Sequence, residues 1–353
     1  MTQEKLAGLS RLRGRNFLSD LDFTREDLED MLSLALVLKD LWRTRPLTPF
    51  FPGKHLAMIF EAASTRTRVI FENGFAELGG NACYLRPGEI HLPGRESVAD
   101  TARTLSQYNA AIVIRAKTDE VVNELATWST VPVINAMDHD RHPCQSMSDA
   151  FTILEEAGSL EGVTFAYLGD AAHPCNSLST TLTKLGLNVR IGNARGYEIA
   201  PEVKENAQRF ATASGGSFLL TNDPLEAIDG ADFIYTDCWW WTGQEAEYAD
   251  RVEAFKPFQV NAELWRHTKP GAKFMHCLPA MRGEEVTDEV ADSPSSIIFP
   301  QAQNRMHFQK ALLLALIGLD EPPADPGLHA ISDALLPDGP TGSATGPTDR
   351  AVS

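Results

Sequence analysis

Ser64-Thr65-Arg66-Thr67-Arg68 packs hydroxyls and guanidiniums together between a short apolar run, Met58-Ile59-Phe60, and a helical pattern from Val69 to Leu78. A helix start leaves four backbone N–H groups without intrahelical partners and carries the positive end of the peptide dipole, so such a string suits an anion. Arg66 adds a planar fork that can grip a phosphate with two hydrogen bonds. An ordinary Ser/Thr cap with solvated arginines is the bland alternative, and the string alone does not exclude it.

Further residues of this kind recur along the chain. His142-Pro143-Cys144-Gln145 offers an imidazole and a carboxamide just past the strand-like run Val131–Asn135. Arg115 closes the run Ala111–Ile114, at the end of a strand where open α/β sheets place ligands. His276-Cys277-Leu278-Pro279 ends another run, and Arg305 opens the last helical pattern. Each of these, taken singly, reads as a satisfied core or surface side chain.

The elements that must position them alternate. Thr24-Arg25-Glu26-Asp27 is a cap with an acidic first turn, followed by Leu28, Met31, Leu32, Ala35 and Leu38 at helical spacing. Strand-like runs at His55–Phe60, Ala111–Arg115 and Val131–Asn135 are separated by helical patterns at Glu96–Ser106 and Glu120–Trp128, the order of parallel βαβ units. The pattern restarts after Asp149, with strands predicted at Val163–Leu168, Asn188–Ile191, Phe233–Thr236 and Lys273–His276. The fold class expected is α/β: two doubly wound domains, each with a central parallel sheet, linked by interdomain helices. Their predicted bounds are residues 1–148 and 149–302, with a helix over 303–318 closing back on the first domain. Residues 319–353, rich in Pro, Gly, Ser, Thr and Asp, are expected to form a disordered tail.

At 353 residues the chain has room for two such cores, and its net charge of −17 argues against nucleic acid or an anionic membrane as partner. An anionic substrate would then need a locally basic site within an acidic protein. No run reaches the ~18–20 apolar residues of a membrane span, and the first twenty residues lack the apolar core of a secretory signal. Five scattered cysteines, at no metal-like spacing, suit free thiols in a reducing cytoplasm; no zinc site is expected.

Taken together in order and spacing, Ser64–Arg68, Val98–Arg103, His142–Gln145, His276–Ala280 with Glu285–Val290, and Asn304-Arg305 make the chain resemble the aspartate/ornithine carbamoyltransferase family, and its ornithine branch, to about residue 318. The resemblance implies that Ser64, Thr65, Arg66 and Thr67 hold the phosphate of carbamoyl phosphate together with Arg115. It implies that Thr67, Arg115, His142, Gln145, Arg305 and the backbone of Leu278 surround the carbamoyl group, with Cys277 beside the incoming amine rather than acting as a nucleophile. It further implies a homotrimer, or a multiple of trimers, whose sites borrow a residue from a neighbouring subunit. The position usually held by Gln is His91 here, which leaves that phosphate contact open. No metal and no organic cofactor is implied. The chemistry is consistent: a neutral amine attacking the carbonyl builds charge on its oxygen, and preorganised donors lower that barrier.

The acceptor side departs from the ornithine pattern. Asp237 is retained as the expected acceptor-orienting carboxylate, but the family's Ser-Met-Gly reads Trp241-Thr242-Gly243, after Trp239 and Trp240. Its Asn pair reads His173-Pro174, and a family His falls at Arg282. His173, Asp237, Trp241 and Thr242 are therefore the expected acceptor contacts, or else His173 and Thr242 simply stand in for Asn and Ser and some tryptophans are core. The acceptor expected is ornithine or a diamine relative, with putrescine as the alternative, since similar putrescine enzymes also lack both motifs. A non-catalytic carbamoyl-phosphate-binding paralogue is the rival from another class. A nicotinamide enzyme is a poor one, because Leu168-Gly169-Asp170-Ala171-Ala172-His173 lacks G-x-G-x-x-G.

Overall fold

The computed structural model describes residues 8–92, 94–171, 173–241, 243–322 and 328–336. Helix α1 (Arg25–Thr44) begins on a reciprocal cap: Thr24 Oγ1 accepts from the Asp27 N–H at 3.1 Å, and Asp27 accepts from the Thr24 N–H at 3.0 Å. The first domain then runs β1 (His55–Phe60), α2 (Thr65–Glu77), β2 (Asn81–Leu85), α3 (Val98–Ser106), β3 (Ala111–Arg115), α4 (Asp119–Trp128) and β4 (Val133–Met137). Its four strands are all parallel, in the order β2-β1-β3-β4. Helices cover both faces, so β1 and β3 are buried, continuous apolar runs rather than alternating ones.

Helix α5 (Pro143–Ala157) leads out of this domain and stops at Gly158, whose φ of 75° is left-handed and favours glycine. The second domain comprises β5 (Thr164–Leu168), α6 (His173–Lys184), β6 (Asn188–Gly192), α7 (Pro201–Ser214), β7 (Ser217–Thr221), α8 (Pro224–Ile228) and β8 (Phe233–Thr236). It continues through α9 (Tyr248–Phe255), α10 (Ala262–Trp265), β9 (Lys273–His276) and α11 (Asp288–Ala291). Five parallel strands lie in the order β7-β6-β5-β8-β9. Helix α12 (Ile298–Ile317) then returns and packs on α1, α2 and α5. The predicted fold class is borne out.

Each sheet order reverses direction once, between β1 and β3 in the first and between β5 and β8 in the second. Loops leaving adjacent strands at such a point diverge to opposite faces and open a crevice at the carboxyl ends. The residues there are Ser64 to Thr67 and Arg115 in one domain, Asp170, Ala171, His173 and Asp237 to Trp241 in the other.

A buried polar seam joins the domains along α5 and α12. Asp149 accepts from Gln145 Nε2 at 2.8 Å, Gln301 Nε2 at 2.7 Å and the Tyr235 hydroxyl at 3.2 Å. Asn304 donates to Thr152 Oγ1 at 3.1 Å and accepts from Lys39 at 2.6 Å. Such shared hydrogen bonds favour one relative placement of helices where an oily interface would allow several.

Two expectations are corrected. Arg305 does not open the last helix, which starts two turns earlier at Ile298; Pro300 sits in its first turn, where no intrahelical N–H is needed. The expected tail is not structureless throughout: α13 (His329–Leu335) places Ile331 and Leu335 with Leu328 in the core of the first domain. Their helical spacing supplies a small apolar face inside a polar stretch. The rest of that tail, 323–327 and 337–353, lies outside the described residues. Leu335 is fully buried, so Leu335→Ala should cost about 2–4 kcal/mol in urea unfolding. An unchanged midpoint would mean that α13 is not docked in solution.

Candidate active site

Ser64 is the N-cap of α2, yet its side chain does not cap it. The hydroxyl instead takes a hydrogen bond from Arg115 Nη1 at 3.3 Å, which leaves the first-turn N–H groups of α2 facing the crevice without a side-chain cap. Strand pairing puts Arg115 beside Phe60, so the end of β3 aims its guanidinium across the start of α2. From α12, the buried Arg305 donates to Thr67 Oγ1 at 2.9 Å. The Nε atoms of Arg115 and Arg305 are buried with no partner.

Burial, then the charges of Arg305 and Arg66, pulls Arg115 down to about 10; burial likewise lowers Arg305. Three guanidiniums thus crowd one crevice, and none forms an ion pair with a carboxylate among the described residues. In a chain of net charge −17 this is a concentrated positive site, of the kind a small dianion would neutralise.

His142 is held from both domains. Asp138 Oδ1 accepts the N–H groups of Asp140 and Arg141 at 2.9 and 2.7 Å, which shapes the turn before it. Ser177 of α6 then accepts the His142 N–H at 2.9 Å. Burial, then Arg305 and Arg115, keeps its imidazole well below the usual range and therefore neutral. Gln145 spends its NH2 on Asp149, and its buried Oε1 stays unpartnered beside the cationic group. The burial of Asp149 raises it to about 6 against those donors.

Across the crevice, Asp237 follows β8 and is fully buried. The Cys277 thiol donates to its Oδ1 at 3.2 Å, while Oδ2 is free. Burial first, opposed by His276 and the thiol, brings Asp237 up to about 6. Burial and Asp237 also push Cys277 well above its ordinary value, so the sulfur stays a protonated thiol and is a poor nucleophile. Leu278 has a left-handed φ of 61°, costly for a branched side chain, and the bond from its N–H to His276 Nδ1 at 2.8 Å helps hold it there. Since that nitrogen accepts, the ring proton sits on Nε2 and goes to Glu285 at 3.1 Å.

Among the described residues, Asp237, His276 and Cys277 bring potential ligand atoms within 4.8 Å of one another. Both His276 nitrogens and the thiol are already committed to hydrogen bonds, so the trio is not a ready metal centre.

The three tryptophans divide. Trp239 is buried in the second domain's core against Phe255, and Trp240 donates to Glu284 at 3.1 Å. Only Trp241 meets a predicted site residue: its ring lies 4.6 Å from that of His173. His173 in turn hydrogen-bonds through Nδ1 to the His139 carbonyl at 3.2 Å, on the loop that carries His142. Thr242 lies outside the described residues, and Thr65 is exposed. Arg282 pairs on the surface with Asp288 and Asp292, at 2.8 Å in each case. His91 is exposed and its ring forms no hydrogen bond with this cluster among the described residues.

Sequence reasoning gave no role to Asp149, Gln301, Ser177 or Glu285, although Glu285 stands in one of the segments that carry the resemblance. Asp149 carried a signal, standing four residues after Gln145 on the same helix face. The others meet their partners only through the tertiary fold.

The chain matches the carbamoyl-P binding domain of aspartate/ornithine carbamoyltransferase over residues 15–155 and its Asp/Orn binding domain over residues 161–316. It is 47% identical to an ornithine carbamoyltransferase of Thermococcus kodakarensis, over 87% of this chain and 98% of that one. With the Bacillus subtilis ornithine carbamoyltransferase it shares 47% identity over 87% of this chain and 95% of the other. The solved ornithine carbamoyltransferase of Pyrococcus furiosus superposes with a TM-score of 0.85 at 46% identity, covering 87% of this chain and 98% of that structure. Both domains are matched, and relatives at 46–47% identity are covered almost end to end, so the chain belongs to the aspartate/ornithine carbamoyltransferase family.

Proposed function

We propose that this protein transfers the carbamoyl group of carbamoyl phosphate to the δ-amine of ornithine, releasing phosphate and forming citrulline. The observation that carries the reading is the gathering of three guanidiniums, from Arg66, Arg115 and Arg305, with no carboxylate partner among the described residues. The ornithine carbamoyltransferase names of its relatives favour ornithine over putrescine.

In this reading Ser64, Thr65, Arg66, Thr67 and Arg115 take the phosphate oxygens. Thr67, Arg115, His142 and Arg305 donate toward the carbonyl oxygen, while Gln145 Oε1 and the Leu278 carbonyl accept from the carbamoyl NH2. The neutral amine nitrogen bonds to the carbonyl carbon, the C–O bond to phosphate breaks, and a phosphate oxygen takes the amine proton. Every protein contribution is positioning or charge stabilisation. Asp237, His173 and Trp241 line the acceptor side, and Thr242 is assigned to it from the sequence alone.

We also place the protein in the cytoplasm, a reading supported by five free cysteines, with no described helix long and apolar enough to cross a membrane. We read it as a homotrimer: exposed on its loop, His91 is free to reach a neighbour's phosphate site. Incubating the enzyme with carbamoyl phosphate and either ornithine or putrescine, and reading phosphate release and product mass, tests the acceptor. Citrulline should dominate. Equal low rates with both would overturn the assignment, and a monomer in light scattering would overturn the trimer.

A further inference from the structure

We infer that Asp20 is a positioning residue for His142: paired with Arg141 in the interior, it fixes the loop that aims the His142 imidazole into the crevice. The inference rests on the proposed contact between His142 and the carbamoyl group.

The N-terminal segment reaches the site as a short extra strand. Phe17 bridges Ile134 in the parallel sense, its N–H donating to the Val133 carbonyl at 2.8 Å while the Asn135 N–H donates to the Phe17 carbonyl at 2.9 Å. Asn135 Nδ2 adds a bond to the Leu18 carbonyl at 3.0 Å. Running beside β4, the segment delivers Asp20 to the end of the sheet where residues 138–142 leave that strand. Lys184 of α6 pins the turn from the second domain, donating to the Asp20 and Phe23 carbonyls at 2.6 and 2.8 Å.

Asp20 is fully buried, and an isolated carboxylate in the interior is costly. Neither of its oxygens has a hydrogen-bond partner among the described residues. Thr180 lies beside them, but its hydroxyl donates to the Asn176 and Ser177 carbonyls of its own helix. The cation facing the carboxylate is Arg141, whose Nη1 lies 3.7 Å from Oδ1 and is also buried without a hydrogen-bond partner. Each group therefore compensates the other's charge. Burial pushes Asp20 up, and Arg141 opposes that more than any other group.

Arg141 immediately precedes His142. One face of α6 grips this loop by its backbone: His173 Nδ1 bonds to the His139 carbonyl at 3.2 Å, Asn176 Nδ2 donates to the Asp140 carbonyl at 3.2 Å, and Ser177 Oγ accepts the His142 N–H at 2.9 Å. Those three holds come from the second domain. The Asp20–Arg141 pair ties the same loop to the segment beside β4, in the first. His142 Nδ1 is buried with no partner, so the ring's aim depends on where this backbone is held. Without the Asp20 charge, the loop must shift to bring the Arg141 guanidinium to water.

The test titrates the full enzyme with carbamoyl phosphate and with inorganic phosphate, in the absence of any amine, and then measures kcat with ornithine. Asp20→Leu and Arg141→Leu should each lower the preference for carbamoyl phosphate over phosphate by about 10-fold, and kcat by about 10–100-fold. A displaced His142 loses the carbamoyl oxygen, while Ser64, Arg66 and Arg115 keep the phosphate. The double variant replaces the pair by two apolar side chains and should be no worse than either single one. Asp20→Asn, the smallest change that removes the charge, gives the same reading should the Leu variant fail to fold; melting curves check this. An unchanged preference in the single variants overturns the inference. So does an equal loss of affinity for both anions, which marks a merely structural role, and so do losses that multiply in the double variant. Wild-type enzyme that prefers carbamoyl phosphate yet makes no citrulline would overturn the proposed function alone, because the binding preference is read without the amine.

Discussion

Arg115→Leu should lower kcat/KM by about 10²–10³-fold while making the ligand-free enzyme more stable. The kinetic half follows from its place at the end of β3, aimed across the α2 N-terminus with an unpartnered Nε. Removing one preorganised donor from a developing oxyanion typically costs this much, and Leu leaves no polar atom behind to substitute. The stability half follows from its depressed pKa. Burial and two neighbouring guanidiniums bring Arg115 to about 10, below its unfolded value. For a base with a lowered folded-state pKa, the charged form is disfavoured in the fold, and this penalty is present at every pH below that value. At pH 7 it is in full force, so deleting the charge should raise unfolding stability, by about 1–3 kcal/mol. If the cluster holds the phosphate as proposed, inorganic phosphate should raise the melting temperature of the wild type and do so much less in the variant. A variant less stable than wild type without ligand would show that the Ser64 contact outweighs the repulsion.

That trade explains why the donor half was legible in the sequence and the acceptor half was not. Ser64 to Thr67, Arg115 and His142 each follow a strand that sequence reads as an apolar run, and each sits at a helix start or strand end set by local chemistry. The order of strands in the two sheets does not follow from such runs. It decides that the loops after β1 and β3, and those after β5 and β8, share a crevice. Edge strands β2 and β7 are only half buried, so their mixed residues carry no clear period and they escaped notice. Pro300 concealed the first turn of α12, and with it the true depth of Arg305 within the helix.

The tryptophans show the limit most plainly. Trp239, Trp240 and Trp241 are adjacent and chemically identical, so no pattern of residue types could rank them. Backbone direction after β8 turns the first into the core, hands the second to Glu284 and lays the third on His173. Asp149 shows the converse. Its spacing from Gln145 was visible, but its task of gathering Gln145, Gln301 and Tyr235 required α5, α12 and β8 to meet.

Asp237→Asn should lower kcat/KM for ornithine by about 10²-fold and remove a break near pH 6 from its pH profile. The carboxylate must be ionised to receive the acceptor's ammonium, and burial raises it to about 6 in the free enzyme, the state that kcat/KM reports. Above that pH, kcat/KM should climb about tenfold per unit, because an aliphatic amine of pKa ~10.4 attacks only when neutral. Below it Asp237 takes up a proton, its charge is lost, and a second tenfold per unit is added. The slope therefore doubles on the acid side. A phosphate monoester also takes a proton near pH ~6, so the donor could bend the profile at the same place. The Asn variant separates them, since its amide cannot titrate while the donor is unchanged. A profile in Asp237→Asn that keeps the doubled acid slope would assign the break to the donor and remove Asp237 from that role.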